Sequence, residues 1–203
     1  MRAYLEQRHA PRWSAASEFV KSRYKKAYDA VIDPCPDYFL VIVDAHDAIQ
    51  SCAGITFASG QGLFSEHYLG ERCEQLISRL EKHPVHRDAI AEVGCVASTH
   101  TAAGRGLFNM LSVVGWCLGA RYLLCTSNPR SIQVMMQCKV RFNPVCAARL
   151  EQVPQRPGID WGRYYEDEPL TGYIKLNDMT AHYRDTLLTT AFDLQGAHRS
   201  LAS

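Results

Sequence analysis

The chain has 203 residues, of which 47% are apolar and 21% charged, with a formal net charge of +1. That length supports one domain with a sizeable core, and the near-zero charge excludes a molecule built as a whole around nucleic acid or an anionic membrane. The eight cysteines include no CxxC pair, which excludes zinc-ribbon and thioredoxin readings.

The opening residues, MRAYLEQRHAPRW, lack the apolar core of a signal peptide. Several cysteines sit in apolar runs such as LLC at 123–125, where a free thiol packs as a small hydrophobe. A reduced, cytoplasmic protein is expected. Residues 14–32 predict a helix, because Phe19, Val20, Tyr24, Ala27, Tyr28, Val31 and Ile32 recur at helical spacing. Lys21, Arg23, Lys25 and Lys26 fall largely between them, and DPCP at 33–36 ends the helix. YFLVIVD at 38–44 reads as a buried strand, and IQSCAGITFAS at 49–59 as its hairpin partner. LFSEHYL comes next. ERCEQLISRLEKH then predicts a helix with Cys73, Leu76, Ile77 and Leu80 on one face.

AIAEVGCVAS at 89–98 predicts a strand, GLFNMLSVVGWCLGA at 106–120 a helix and RYLLCTS at 121–127 another strand. The apolar run 107–125 is long enough to cross a bilayer. Asn109, Arg121 and the Gly119-Ala120 break divide it, so a helix followed by a buried strand is the better reading. A turn at Asn128-Pro129 leads to a helix at 131–140. Prolines at 144, 154 and 157 predict irregular backbone over 143–160. LTGYIKL at 170–176 predicts a late strand, and 178–195 a last amphipathic helix that could cover a pocket or make a homodimer contact. No repeat or linker divides the chain, so 1–203 reads as one domain, with a mixed sheet flanked on both faces by helices.

The chemistry concentrates in EVGCVASTHTAAGRGLF, residues 92–108. A helix starting near Gly106 would leave its first N–H groups open and positive. Ala103, Gly104, Arg105 and Gly106 would let an anion approach that backbone, which suits a diphosphate or a phosphopantetheine phosphate. A tight strand-to-helix turn favours the same glycines. GxGxxG and GxxxxGK[ST] are both absent. Glu92 is the leading carboxylate for a general base, with an ion pair to Arg87 as the structural alternative. His100 could move protons or be a plain loop residue. Cys95 could be an acyl-accepting nucleophile or an inert strand thiol. Trp161, Tyr164 and Tyr165 could line a pocket, with Tyr165 as an acid for a leaving thiol, or could simply pack in the core. Glu166, Asp167 and Glu168 read as a solvated face that could also meet a cationic substrate.

The strand-loop-helix-strand-turn-helix order from Ala89 to Phe142 resembles the acyl-CoA motif of the GNAT acetyltransferase superfamily. Its loop form, [QR]-x-x-G-x-[GA], is met by Thr101-Ala-Ala-Gly104-Arg105-Gly106, with Thr replacing the leading residue. Asn128, the helix after it and Arg141-Phe142 occupy the places of a second GNAT signature, with Arg where Gly is usual. LFSEHYL, Glu74, Arg87 with IAEVGCVAS, RYLLCTS and WGRYYEDEP together resemble the thermostable hemolysin family over about residues 19–174. Thr56 stands where that family tends to carry Arg, and Cys95 where it tends to carry Asn. The family is in turn similar to acyl-homoserine lactone synthases.

The resemblance implies a GNAT-like α/β fold and transfer of an acyl group from an acyl-carrier protein or acyl-CoA thioester to an amine. The acceptor would be an amino acid, an amine or an S-adenosylmethionine-like compound. It implies a bulged, splayed central strand whose backbone at Gly94, Cys95, Val96 and Ala97 meets the thioester. It also implies a phosphate cradle at Ala103–Gly106, Asn128 as a further donor-side contact, and Thr56, Trp161 and Tyr164 on the acceptor side. No metal is expected. An acidic carrier protein could dock on Lys21, Arg23, Lys25 and Lys26. The family's name suggests a membrane-active protein as the rival, and a non-catalytic binding module is a third reading.

Overall fold

The computed structural model describes residues 2–58 and 62–176. The chain starts with strand β1 (Arg2–Gln7) and helix α1 (Pro11–Tyr28). Pro11 suits the first turn of α1, where its missing N–H is no loss. Asp29 takes a left-handed φ of 57° at the C-terminal end, and its N–H bonds the carbonyl of Lys25. β2 (Tyr38–Val43) and β3 (Ile49–Phe57) form the expected antiparallel hairpin. The short helix α2 (Glu66–Leu69) and α3 (Cys73–Glu81) lead to β4 (Ile90–Ser98). α4 (Thr101–Cys117), β5 (Tyr122–Ser127), α5 (Pro129–Gln137), β6 (Phe142–Ala147) and β7 (Leu170–Lys175) complete the fold.

The seven strands form one sheet in the order β1-β2-β3-β4-β5-β7-β6. β4 and β5 run parallel, and the other neighbours pair antiparallel. This is the mixed sheet flanked by helices that the sequence led one to expect. Strand alternation divides the core. Leu40, Ile42, Ala91, Val93, Leu123 and Cys125 face α4 and α5, where Leu107, Phe108, Leu111, Val113 and Val114 are buried. Each Leu, Ile, Val and Phe among them contributes about 1.5–3 kcal/mol by leaving water. Phe39, Val41, Val43 and Cys52 pack with Ala16 and Val20 of α1 on another part of the sheet. Ile90, Tyr122, Leu124 and Tyr173 pack with Cys73 and Ile77 of α3.

Besides α1 ending at Tyr28 rather than at 32, the structure differs from the sequence expectation in three places. β1 and β6 are strands that the sequence does not announce. RAYLEQ carries too much charge to read as a strand, and FNPVCA contains a proline, which an edge strand tolerates. The third difference is that α4 begins at Thr101 rather than near Gly106. Among the described residues no helix is long and apolar enough to cross a membrane, and the run 107–125 is α4 followed by buried β5. The helix expected at 178–195 lies outside the described residues.

Candidate functional site

β4 and β5 pair from Ile90↔Tyr122 to Val93↔Cys125 and no further, although both strands continue. On the other edge of β4 the register with β3 slips between Gly54↔Gly94 and Cys52↔Ala97. Ala53 therefore opposes two residues, Cys95 and Val96, and Cys95 has φ 53°. This is a β-bulge, which bends its strand and re-aims the residues beyond it. The bulge turns β4 away from β5 and leaves the β5-facing edge of residues 94–98 without a strand partner among the described residues.

The gap is a small open cleft. Gly94, Cys95 and Val96 line one side, and Thr126, Ser127 and Asn128 the other. Tyr24 and Tyr28 of α1 close it together with Tyr164. A Cβ added to Gly94 would meet nothing within 4 Å, so its missing side chain keeps room in the cleft and relieves no packing.

Glu92 lies just before the bulge and is buried. Its partner is not Arg87. Oε2 accepts from the Phe64 N–H at 2.8 Å, and Oε1 accepts from the Ser65 N–H at 2.7 Å and the Ser65 hydroxyl at 2.5 Å. Burial pushes the Glu92 carboxyl above the usual range, while these three hydrogen bonds oppose the rise. Thr56 is its cross-strand neighbour on β3. Arg87 instead holds Glu66 at 2.7 Å and Glu74 at 2.6 Å. Burial alone would raise Glu66. Arg87 and the N–H groups of Cys73 and Leu63 override it and hold the carboxyl down at about 2. Glu66, Cys73 and Glu74 bring their donor atoms within 4.8 Å of one another, as a metal site would. The Arg87 guanidinium already fills that role.

The Cys95 thiol is pushed up to about 12, first by burial and then by Glu92 and Cys35. Among the described residues no base is hydrogen-bonded to it, so it lacks the activation that a nucleophile needs. The hydroxyls of Tyr165 and Tyr68 share a hydrogen bond at 2.5 Å. Burial raises its pKa, and the bond to Tyr68 offsets part of the rise. Trp161, Tyr164, Tyr165 and Phe64 form a cluster with ring centroids 5.2–5.9 Å apart. Gly162 fixes that cluster to α1. It has φ 49°, and a Cβ there would collide with the Tyr28 carbonyl, which also accepts from the Arg163 N–H.

The first turn of α4 differs from the expected loop. His100 is its N-cap, and the His100 Nδ1 accepts from the Ala103 N–H at 3.2 Å. The Gly104 N–H bonds the His100 carbonyl, and Gly104 packs against Ser98. Gly104, Arg105 and Gly106 are thus helical, and Arg105 is exposed. Among the described residues, the backbone donors left open at this end belong to Thr101 and Ala102. Asn128 caps α5 by accepting from the Ser131 N–H and donates to Tyr28 at 2.7 Å and to Asp167 at 3.3 Å. Lys21 is paired with Glu18 and Asp33, and Lys25 with Asp29. Arg23 and Lys26 lie on the same helix and make no ion pair among the described residues.

Residues 6–180 match the family model described as Thermostable hemolysin. The chain belongs to the thermostable hemolysin family. No curated protein matches this family member. Its fold is similar to that of FeeM, an N-acyl amino acid synthase from uncultured soil microbes. The TM-score is 0.59 at 16% identity, over 90% of this chain and 99% of that one. It is also similar to BjaI, a CoA-dependent acyl-homoserine lactone synthase solved with SAM and isopentyl-CoA. There the TM-score is 0.63 at 8% identity, over 98% and 95% of the two chains. LasI, an acyl-homoserine lactone synthase, gives 0.58 at 10%, over 95% and 97%.

The structure brings Gly94, Cys95, Val96, Asn128 and Tyr164 to one cleft, with Glu92 behind it. Ser65 and Thr126, which join Glu92 to that cleft, do not stand out in the sequence. A serine before a short helix and a threonine in a strand carry no signal of their own. Only alternation hints at it, since Glu92 shares a face with Ile90 and Thr126 with Leu124.

Proposed function

We propose that this protein is an N-acyltransferase that moves an acyl group from a pantetheine thioester to an amine. The observation that carries the reading is the parting of β4 from β5 after Val93 and Cys125, with the bulge at Cys95. An open strand edge beside a cleft is what an extended, amide-bearing pantetheine arm would add to. In this reading the arm lies along residues 94–98, and the backbone N–H of Val96 polarises the thioester carbonyl. A donor phosphate sits at the start of α4, on the N–H groups of Thr101 and Ala102 with Arg105 nearby. That places the phosphate site one turn earlier than the Gly104-Arg105-Gly106 pattern suggested.

The amine attacks the carbonyl, the C–S bond breaks, and the products are an amide and a free thiol. Glu92 accepts the proton that the amine loses. Transfer is direct, because Cys95 holds its proton and lacks a base. Thr56 and Trp161 lie beside Glu92 and Tyr164 and fit the acceptor side. The similarity in fold to FeeM, an N-acyl amino acid synthase, and to BjaI, a CoA-dependent synthase, supports acyl transfer as the reaction class. Acyl-carrier protein and acyl-CoA are both candidate donors here, and Arg23 and Lys26 on α1 offer an acidic carrier two cations beside Tyr24.

The test is turnover with a panel of acyl-CoA and acyl-carrier donors and amine acceptors. Thiol release and acyl-amide mass are read together. Matched thiol and amide support the reading. Leakage of liposomes without thiol release from any donor–amine pair would replace it with a membrane-active one.

A further inference from the structure

Glu92 does not reach the cleft by itself. Only 8% of its surface is exposed, and both carboxylate oxygens are occupied by donors from Phe64 and Ser65. A row of hydroxyls connects it to the cleft. Ser65 Oγ lies 2.5 Å from Glu92 Oε1 and 2.9 Å from Thr126 Oγ1. Thr126 Oγ1 lies 2.8 Å from Thr171 Oγ1.

Proton count fixes the direction of this row. Each hydroxyl has one proton to donate and two lone pairs to accept with. Ionised Glu92 has none to donate, so the Ser65 proton points at Glu92. Thr126 must then donate to Ser65, and Thr171 must donate to Thr126. Thr171 is 0% exposed and is the cross-strand register partner of Thr126, so it holds the Thr126 rotamer in place. Thr126 is left with one free lone pair, and Thr126 lines the cleft.

We propose that Thr126 and Ser65 form a proton relay that carries the acceptor amine's proton from the cleft to Glu92. The proposal rests on the acyl-transfer reading above. In the step, an N–H bond of the amine breaks and its proton goes to Thr126 Oγ1. The Thr126 proton passes to Ser65 Oγ, and the Ser65 proton passes to Glu92 Oε1. The electron pair stays on nitrogen and attacks the thioester carbonyl, and the departing sulfur is protonated as Glu92 is regenerated through the same row. Thr126 touches the substrate and is a catalytic residue. Ser65 acts through it, and Thr171 is a positioning residue.

The titratable groups that share the field of Glu92 are Glu66 and Tyr68 on α2, Cys95 on its own strand and Cys125 on β5. Glu66 is paired with Arg87, and burial raises both thiols and the phenol.

The test is kcat against pH from 7 to 9 for wild type, Thr126→Val, Thr126→Ser and Ser65→Ala, with folding checked by melting. Wild type should be nearly level. Thr126→Val, which keeps the shape and loses the hydroxyl, should be about 100-fold slower at pH 7. Its rate should then climb about tenfold per pH unit, because hydroxide replaces the relay. Thr126→Ser should restore both rate and profile, and Ser65→Ala should behave as Thr126→Val does. A Thr126→Val protein with the wild-type rate and profile overturns the relay. So does one slowed equally at every pH and not rescued by Thr126→Ser. Wild-type turnover with either result sinks the relay alone, whereas a wild type that releases no thiol from any donor–amine pair sinks the acyl-transfer reading and the relay with it.

Discussion

Ser65 donates to Glu92 twice, through its amide at 2.7 Å and its hydroxyl at 2.5 Å. One carboxylate of the central strand therefore fixes the turn that enters α2, and the same turn supplies the hydroxyl that leads towards the cleft. A structural tie and a proton acceptor are combined in one residue, and they respond differently to substitution.

Glu92→Gln keeps the shape and one acceptor oxygen but removes the basicity. Ionising a buried carboxyl costs stability when burial raises its pKa, because stability falls as pH rises from the unfolded value through the raised folded one. The neutral amide avoids that cost while weakening the bonds to Ser65. Stability should move by no more than about 1–2 kcal/mol, and turnover should fall at least ~100-fold. Urea unfolding and steady-state rates on the same preparation separate the two. Full turnover in Glu92→Gln would remove it as the proton acceptor.

Arg87 is the electrostatic counterweight on the other side of α2. It keeps Glu66 at about 2 and Glu74 below its ordinary value. Depressed carboxyls stabilise above the unfolded pKa, and that contribution disappears as pH falls through the folded one. The protein should therefore lose stability between about pH 4.5 and 2 as Glu66 protonates. Arg87→Met removes the cation beside Glu66 and leaves Glu74 with Arg72 alone, and it should cost about 2–4 kcal/mol at pH 7. It should also flatten the acid limb, which the urea midpoint measured against pH would show.

Two glycines predict opposite outcomes. Gly162→Ala forces a side chain into the Tyr28 carbonyl at a left-handed φ. It should destabilise by about 2–4 kcal/mol and loosen Trp161 and Tyr164 from the cleft. Gly94→Ala puts a methyl group into open space beside the cleft. It should leave the melting temperature nearly unchanged and raise the donor KM at least several-fold. Equal donor KM in Gly94→Ala would mean that the donor does not pass Gly94.

Cys95 separates direct from two-step transfer. With its thiol near 12, it should resist iodoacetamide at pH 7.5 while exposed Cys35 and Cys117 react. Cys95→Asn suits the left-handed backbone and should keep turnover within about threefold. A trapped acyl adduct on Cys95 would establish the two-step route.

The order of strands and helices from α1 to β5 was legible because apolar runs and periodicity changed cleanly at Pro, Gly and Asn breaks. Gly94 within an apolar strand marked the region of the bulge, although the positive φ fell on Cys95, which carries no such signal. The edge strands β1 and β6 were not legible, since half-exposed strands need no apolar alternation. The start of α4 was misplaced because His100 caps it, and histidine is not among the residues that announce a cap. The partners of Glu92 were beyond the sequence altogether. Ser65 and Thr126 are 61 positions apart and meet only because β4 and β5 pair up to Val93 before separating.

The central claim is that the cleft between β4 and β5 holds an acyl-thioester arm against the bulged strand. A crystal structure with a non-cleavable acyl-CoA analogue, its thioester sulfur replaced by a methylene, tests that most directly. The pantetheine should be hydrogen-bonded along residues 94–98, with the acyl carbonyl at the N–H of Val96 and phosphate at Thr101 and Ala102. An analogue bound elsewhere, with the cleft still open, would contradict it.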